Sequence, residues 1–180
     1  MLKYALATKT PIVVCTTGLS SQQTEAVKKA GETIPVFFSA NMSLGVNLML
    51  ALCQKATQIL GADFDIEIIE KHHNLKVDAP SGTALMLANA INEEANGKYE
   101  YVYDRQSVRQ KRDKKEIGIH SVRGGNIVGE HEVIFAGHDE CVSIKHAATS
   151  KEVFAVGAVN AARFVSKQSA GLYSMQDMLK

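Results

Sequence analysis

The stretch Asp65 to Ala84, D-I-E-I-I-E-K-H-H-N-L-K-V-D-A-P-S-G-T-A, limits what this chain can fold into more than any other. Phe64, Ile66 and Ile68 share one face of a two-residue period and Asp65 and Glu67 take the other, which predicts a half-buried strand over 65–70. Ser81-Gly82-Thr83 follow Pro80 and precede the apolar run Ala84 to Ile91, which predicts a helix over about 81–95, closed by Asn96-Gly97. A strand that runs through a polar connection into a helix N-terminus is an α/β unit. Ligands in such units gather beyond the carboxyl end of the strand. The connection here holds His72, His73, Lys76 and Asp78.

The N-terminal part repeats the same logic. Leu2 to Lys9 reads as the tail of a helix and Ile12 to Cys15 as a short buried strand. Thr16-Thr17-Gly18 then lead into a helix that reaches Ala30, with Ser20 or Ser21 as its cap. Ile34 to Phe38 is a second apolar strand, running into Ser39-Ala40-Asn41-Met42-Ser43. Repetition of strand, small polar loop and helix predicts parallel α/β architecture, with Thr16, Thr17, Gly18, Ala40 and Asn41 at the carboxyl ends of the strands. No G-x-G-x-x-G occurs, and Met1 falls inside an apparent helix, so the sequence is expected to start partway through a domain. A small complete domain with a ragged first helix is the other reading.

Val46, Met49 or Leu50, Cys53, Thr57 and Leu60 recur at three- and four-residue steps, predicting an amphipathic helix over 45–60. Lys98 to Glu116 mixes Arg105, Arg109, Lys111, Arg112, Lys114 and Lys115 with Asp104, Asp113 and Glu116; it reads as a solvated loop rather than a nucleic-acid patch. Strands are expected over 117–123, 131–135 and 141–146, with His120, His131, His138 and His146 as ordinary sheet or loop residues. A last helix over 151–167 has Phe154, Val156, Ala158, Val159, Ala162 and Val165 as its apolar side, and Gly171 to Met175 is a short packed tail.

Twenty Lys and Arg against nineteen Asp and Glu give a net charge of +1, which points to neither a nucleic-acid nor a membrane partner. Three widely spaced cysteines, Cys15, Cys53 and Cys141, read as buried thiols of a cytoplasmic protein. No signal peptide and no 18-residue apolar run is present in the sequence.

His72 and His73 are adjacent, so in an extended segment they face opposite ways and one can supply a proton near neutral pH. A metal site is poorly supported, since neither H-E-x-x-H nor paired cysteines accompany them. Lys76 and the hydroxyls and backbone N–H groups of Ser81-Gly82-Thr83 suit a carboxylate, while Asp78 anchors the turn or caps the helix. These residues amount to a pocket for a small acidic molecule with a proton donor in it. They name no reaction.

The segment Glu67 to Ala84 resembles the signature of the 4-hydroxy-tetrahydrodipicolinate reductase family, the dihydrodipicolinate reductases of bacterial lysine and diaminopimelate synthesis. The resemblance extends through Thr16-Thr17-Gly18, Ser39 to Ser43, Arg123 to Val133, Lys145-His146-Ala147 and Ser169 to Tyr173. It implies an α/β fold with a partial Rossmann-like dinucleotide domain (1–42, rejoined by a helix and tail over 151–180). An α/β substrate and tetramerisation domain with an open mixed sheet fills 43–150. By resemblance His72 is the general acid and Lys76 is also catalytic, while His73, Lys76, Ser81, Gly82 and Thr83 hold the substrate. Thr16, Thr17, Gly18, Ala40, Asn41 and Met42 lie beside the nicotinamide of NADPH or NADH. The implied reaction is hydride delivery to the cyclic imine dicarboxylate, in a homotetramer. The family's first strand and glycine-rich turn have no counterpart, about eighty to ninety residues by its layout. A non-catalytic oligomeric fragment that binds small dicarboxylates is therefore the alternative. Asn160 stands where the family can carry a basic residue, with Arg163 one turn further on.

Overall fold

A computed structural model describes residues 1–179 of the chain. In chain order the elements are α1 (Leu2–Thr8), β1 (Ile12–Val14), α2 (Ser21–Ala30), β2 (Pro35–Phe38), α3 (Leu44–Leu60) and β3 (Asp65–His72). They continue with α4 (Gly82–Glu94), β4 (Glu100–Val102), β5 (Glu116–Arg123), β6 (Gly129–Ala136), β7 (Cys141–Ala148), α5 (Glu152–Val165), β8 (Gly171–Tyr173) and α6 (Met175–Met178). They form two compact units, one of residues 1–47 with those from Lys151 onward, the other Leu48–Ser150.

The first unit is built on a parallel three-stranded sheet in the order β1-β2-β8, with Ile12 opposite Val36 and Pro35 opposite Gly171. α2 starts at a reciprocal capping box, in which Ser20 Oγ accepts the Gln23 N–H and the Gln23 side chain accepts the Ser20 N–H. One face of the sheet is sealed by Ala5, Val27, Ala30 and Ile34, the other by Ala161, Val165 and Met175 against Phe37. Helices on both faces are what a parallel sheet requires.

Two expectations fail here. The tail over 171–175 is not mere packing, because Gly171–Tyr173 enters the sheet as β8. The buried stripe of α5 is Gly157, Ala161 and Val165, while Phe154, Val156 and Val159 are exposed. Small residues mark the buried side because the helix comes close to neighbouring backbone: a Cβ on Gly157 would collide with the Met42 carbonyl.

The second unit carries a mixed five-stranded sheet, β4-β5-β3-β6-β7, parallel across β4, β5 and β3 and antiparallel from β3 to β7. α3 and α4 cover one face, burying Met49, Cys53, Leu87 and Ile91 on Ile66, Ile68, Ile117, Ile119, Val133 and Phe135. β4 was not expected; it is three residues long, tied down by the Asn92 side chain bonding the backbone of buried Tyr99.

The 98–116 segment is also more than a solvated loop. Arg105 bridges Glu116 and Glu67 at 2.7 Å each, and Arg112 reaches Glu67 and Asp65 at 3.0 Å. Burial pushes the Glu67 carboxyl up, but hydrogen bonds from His120 and Arg112 and the charge of both arginines outweigh it and hold it below the usual range. Cys53 is buried, and burial drives its thiol up to about 12. Cys15 and Cys141 are exposed, against expectation, because both stand at strand ends. Among the described residues no helix is long and apolar enough to cross a membrane.

Candidate functional site

The buried face of β3 alternates Ile66, Ile68, Glu70, His72. The strand therefore runs two residues further than its apolar pattern, and its last inward-facing residues are polar. Glu70 is fully buried and lies at the centre of a network. Its Oε2 is 2.6 Å from His72 Nδ1, and Arg123, paired with His72 across β5, grips both carboxylate oxygens at 2.6 and 2.8 Å. The Ser81 N–H donates to Oε1 at 3.1 Å, and Arg123 also donates to the Asp78 carbonyl at 2.7 Å. Burial pushes the Glu70 carboxyl up, yet hydrogen bonds from Arg123, Ser121 and His72 and the Arg123 charge win, leaving it at about 2.

Ser81 caps α4, its Oγ accepting the Ala84 N–H, and stands 3.0 Å from His131 Nε2. The His131 ring meets the His72 ring edge-on, centroids 5.2 Å apart. Lys76 pairs with Asp78 at 2.8 Å, so the loop carrying it is joined to the same network through the Asp78 carbonyl and Arg123. The hydrogen bond from Lys76 is the main reason the Asp78 carboxyl sits below its usual range. Gly82 and Thr83 fill the first turn of α4 directly after Ser81, with open space where Gly82 would carry a Cβ. His73 keeps a buried Nδ1 with no partner among the described residues. His72, Lys76 and Ser81 are thus joined through Glu70, Arg123 and Asp78.

His131 has an environment that sequence reasoning did not foresee. Burial, with the neighbouring His72, His146 and Lys76 adding to it and Glu70 opposing, lowers it to about 4. Between about pH 6.5 and 4 the unfolded chain binds a proton that the folded chain refuses, so stability falls as pH drops through that window. From pH 7.5 to 5 the expected loss is about 2 kcal/mol, read as a lower urea midpoint. His131→Asn is expected to flatten that limb; an unchanged slope in the variant would mean that His131 takes its proton in the folded state.

In the first unit Thr17, Ala40, Asn41 and Met42 line one cavity of about 480 Å³, together with Cys15, Phe154, Ala155 and Ala158. Thr16 lies instead in a separate apolar groove along β1. Gly18 turns the chain at φ +73°, where a side chain would be strained. The 39–43 loop is braced by its own polar groups: Asn41 Oδ1 accepts the Ser43 N–H, and the Asn41 carbonyl accepts from Ser39 and Asn47 side chains. An apolar wall facing a loop of fixed backbone dipoles suits a flat nicotinamide ring.

Comparison with known proteins decides the lineage. A family profile described as "Dihydrodipicolinate reductase, C-terminus" matches residues 45–179, and its "N-terminus" counterpart matches residues 1–42. The 4-hydroxy-tetrahydrodipicolinate reductase of Caldanaerobacter subterraneus subsp. tengcongensis is 53% identical over 180 residues, all of this chain and 71% of the relative. The chain belongs to the dihydrodipicolinate reductase family.

The Clostridium tetani reductase of the same name is 51% identical over 99% of this chain and 70% of its own length. A solved structure of dipicolinate-bound dihydrodipicolinate reductase from Paenisporosarcina sp. TG-14 superposes with a TM-score of 0.77 at 26% identity. It covers 96% of this chain and 66% of the solved one. Membership makes the chain an oxidoreductase by descent, of the mixed α/β fold described above. Its family uses a nicotinamide dinucleotide, and the residues around the 480 Å³ cavity fit the nicotinamide end of one.

Proposed function

We propose that this dihydrodipicolinate reductase family member reduces 4-hydroxy-tetrahydrodipicolinate, after loss of water to the conjugated cyclic imine, giving tetrahydrodipicolinate with NADPH or NADH. The observation that carries the reading is the single polar network joining His72, the Lys76 loop and the N-terminus of α4. It lies within a chain that matches the family from end to end. Bound beside Thr17, Gly18 and the Ala40–Met42 loop, the reduced nicotinamide supplies a hydride. Thr16 precedes Thr17 in the same strand-end loop but lines the separate groove along β1.

The substrate is a dicarboxylate, and the residues suited to it are cationic or donor-rich. Lys76, His73 and the first turn of α4 at Ser81, Gly82 and Thr83 present positive field and N–H groups to one carboxylate. Ser81 already caps the helix and bonds His131, so it holds the cradle in shape as much as it contacts the ligand. Reduction leaves an electron pair on the conjugated system, which must be protonated, and in this reading His72 gives the proton. Lys76 adds charge stabilisation where that pair develops. Assembly as a cytoplasmic homotetramer through the substrate unit is part of the same proposal.

The test is oxidation of NADPH and of NADH with freshly generated substrate, on protein of confirmed intact mass, beside calorimetric titration with dipicolinate. Turnover together with dicarboxylate binding is expected. Binding without turnover would favour a non-catalytic dicarboxylate-binding oligomer; neither would overturn the site.

A further inference from the structure

We infer that Glu70, outside both the substrate contacts and the acid itself, is the positioning residue of this site. Clamped by Arg123, it holds the proton of the neutral His72 ring on Nδ1 and so reserves Nε2 for proton exchange with substrate. The inference rests on the reading of His72 as the acid, but its geometry stands separately.

Glu70 has no exposed surface and cannot meet a ligand. Its partners are all protein groups: Arg123 on both oxygens, the Ser81 N–H on Oε1, His72 Nδ1 on Oε2, and the Ser121 side chain. A carboxylate beside a bidentate guanidinium is ionised and can only accept hydrogen bonds, so at 2.6 Å the His72 Nδ1 must be the donor. The opposite edge of the ring is kept open by Gly129, where a Cβ would lie only 3.1 Å from His72 Nε2. His131 does not compete for the proton, because its own Nε2 is 3.0 Å from Ser81 Oγ.

One buried carboxylate therefore sets the tautomer and orientation of the acid and, through the Ser81 N–H, the position of the helix start that cradles the substrate. In the step itself the Nε2–H bond of the imidazolium breaks and its electron pair stays on Nε2. A bond forms from that proton to the substrate atom holding the electron pair. The Nδ1–H stays with Glu70 throughout.

Glu70→Gln separates this role from a purely structural one. Arg123 and the Ser81 N–H keep the amide oxygen at the Oε1 position, which turns the amide N–H toward Nδ1 and drives the ring proton to Nε2. Long-range nitrogen–proton NMR of His72, at a pH where the ring is neutral, is expected to show Nδ1–H in the wild-type chain and Nε2–H in the variant. Turnover is expected to fall about 10²-fold with KM within about threefold. Should the variant fail to fold, the wild-type spectrum still decides, since an Nε2–H ring there overturns the inference. So does a reversed tautomer with an undiminished rate. A wild-type chain that shows Nδ1–H but no turnover sustains the positioning role and overturns only the reductase reading.

Discussion

Arg123→Met is expected to destabilise the Leu48–Ser150 unit by about 3–5 kcal/mol at neutral pH, among the largest effects of any single change in this chain. The reason is not the worth of the ion pair. A buried pair of charges gains little over a well-packed apolar pair, because each ion gives up its hydration. The loss comes from what stays behind, a fully buried Glu70 carboxylate deprived of the two Arg123 donors and its counter-charge and left with the Ser81 N–H, Ser121 and His72. The guanidinium also ties the Asp78 carbonyl, so the loop before α4 loosens with it.

The pH dependence carries the signature. In the wild type the Glu70 carboxyl lies at about 2, so the stability it confers is complete above the unfolded value of 4.5 and is lost as pH falls toward 2. Without Arg123 the largest lowering contribution is gone, with Ser121 and His72 still opposing burial, so wild type and variant should draw together in acid. Urea unfolding at pH 7 and at pH 3 measures both points. Glu70→Met combined with Arg123→Met should recover part of the loss, because it removes the unpaired charge but leaves the Ser81 N–H and His72 Nδ1 without their acceptor. A neutral-pH change below about 1 kcal/mol for Arg123→Met alone would mean that water reaches Glu70.

Glu70 was within reach of the sequence, though not through apolar periodicity. Glu70 and His72 have the same parity as Ile66 and Ile68, and that shared face was the available signal for a buried charge. Apolar pattern alone ends the strand at Glu70, whereas β3 pairs with β5 as far as His72. His131 could be found the same way, two residues before Val133 on the buried face of β6. Its partner is Ser81, fifty residues away, and no local pattern announces that. β4 and β8 were illegible for another reason: each is three residues long and exists because a neighbouring strand presents an edge. The stripe on α5 misled because close helix approach selects glycine and alanine, which a search for large apolar side chains passes over.

His72→Gln is expected to lower turnover with NADPH or NADH by about 10²–10⁴-fold while leaving dipicolinate binding within a few-fold. Glutamine is the informative replacement. Its amide can still donate to Glu70 Oε2, where His72 Nδ1 now lies at 2.6 Å, so the carboxylate keeps a donor and the strand end keeps its shape. What glutamine lacks is a proton it can release and regain near neutral pH. A fall in rate at constant binding therefore isolates proton transfer from positioning. Lys76→Met should do the reverse first, weakening binding of the dicarboxylate by removing a cation from the loop beside α4, with any further loss of rate reporting its effect on the developing charge. If His72→Gln turned over within a few-fold of wild type, the proton would have to come from elsewhere in the site. His131 is poorly suited to supply it, since its environment lowers it to about 4 and keeps it neutral. Solvent or Lys76 would then be the donor, and Glu70 would be left orienting a histidine that the reaction does not need.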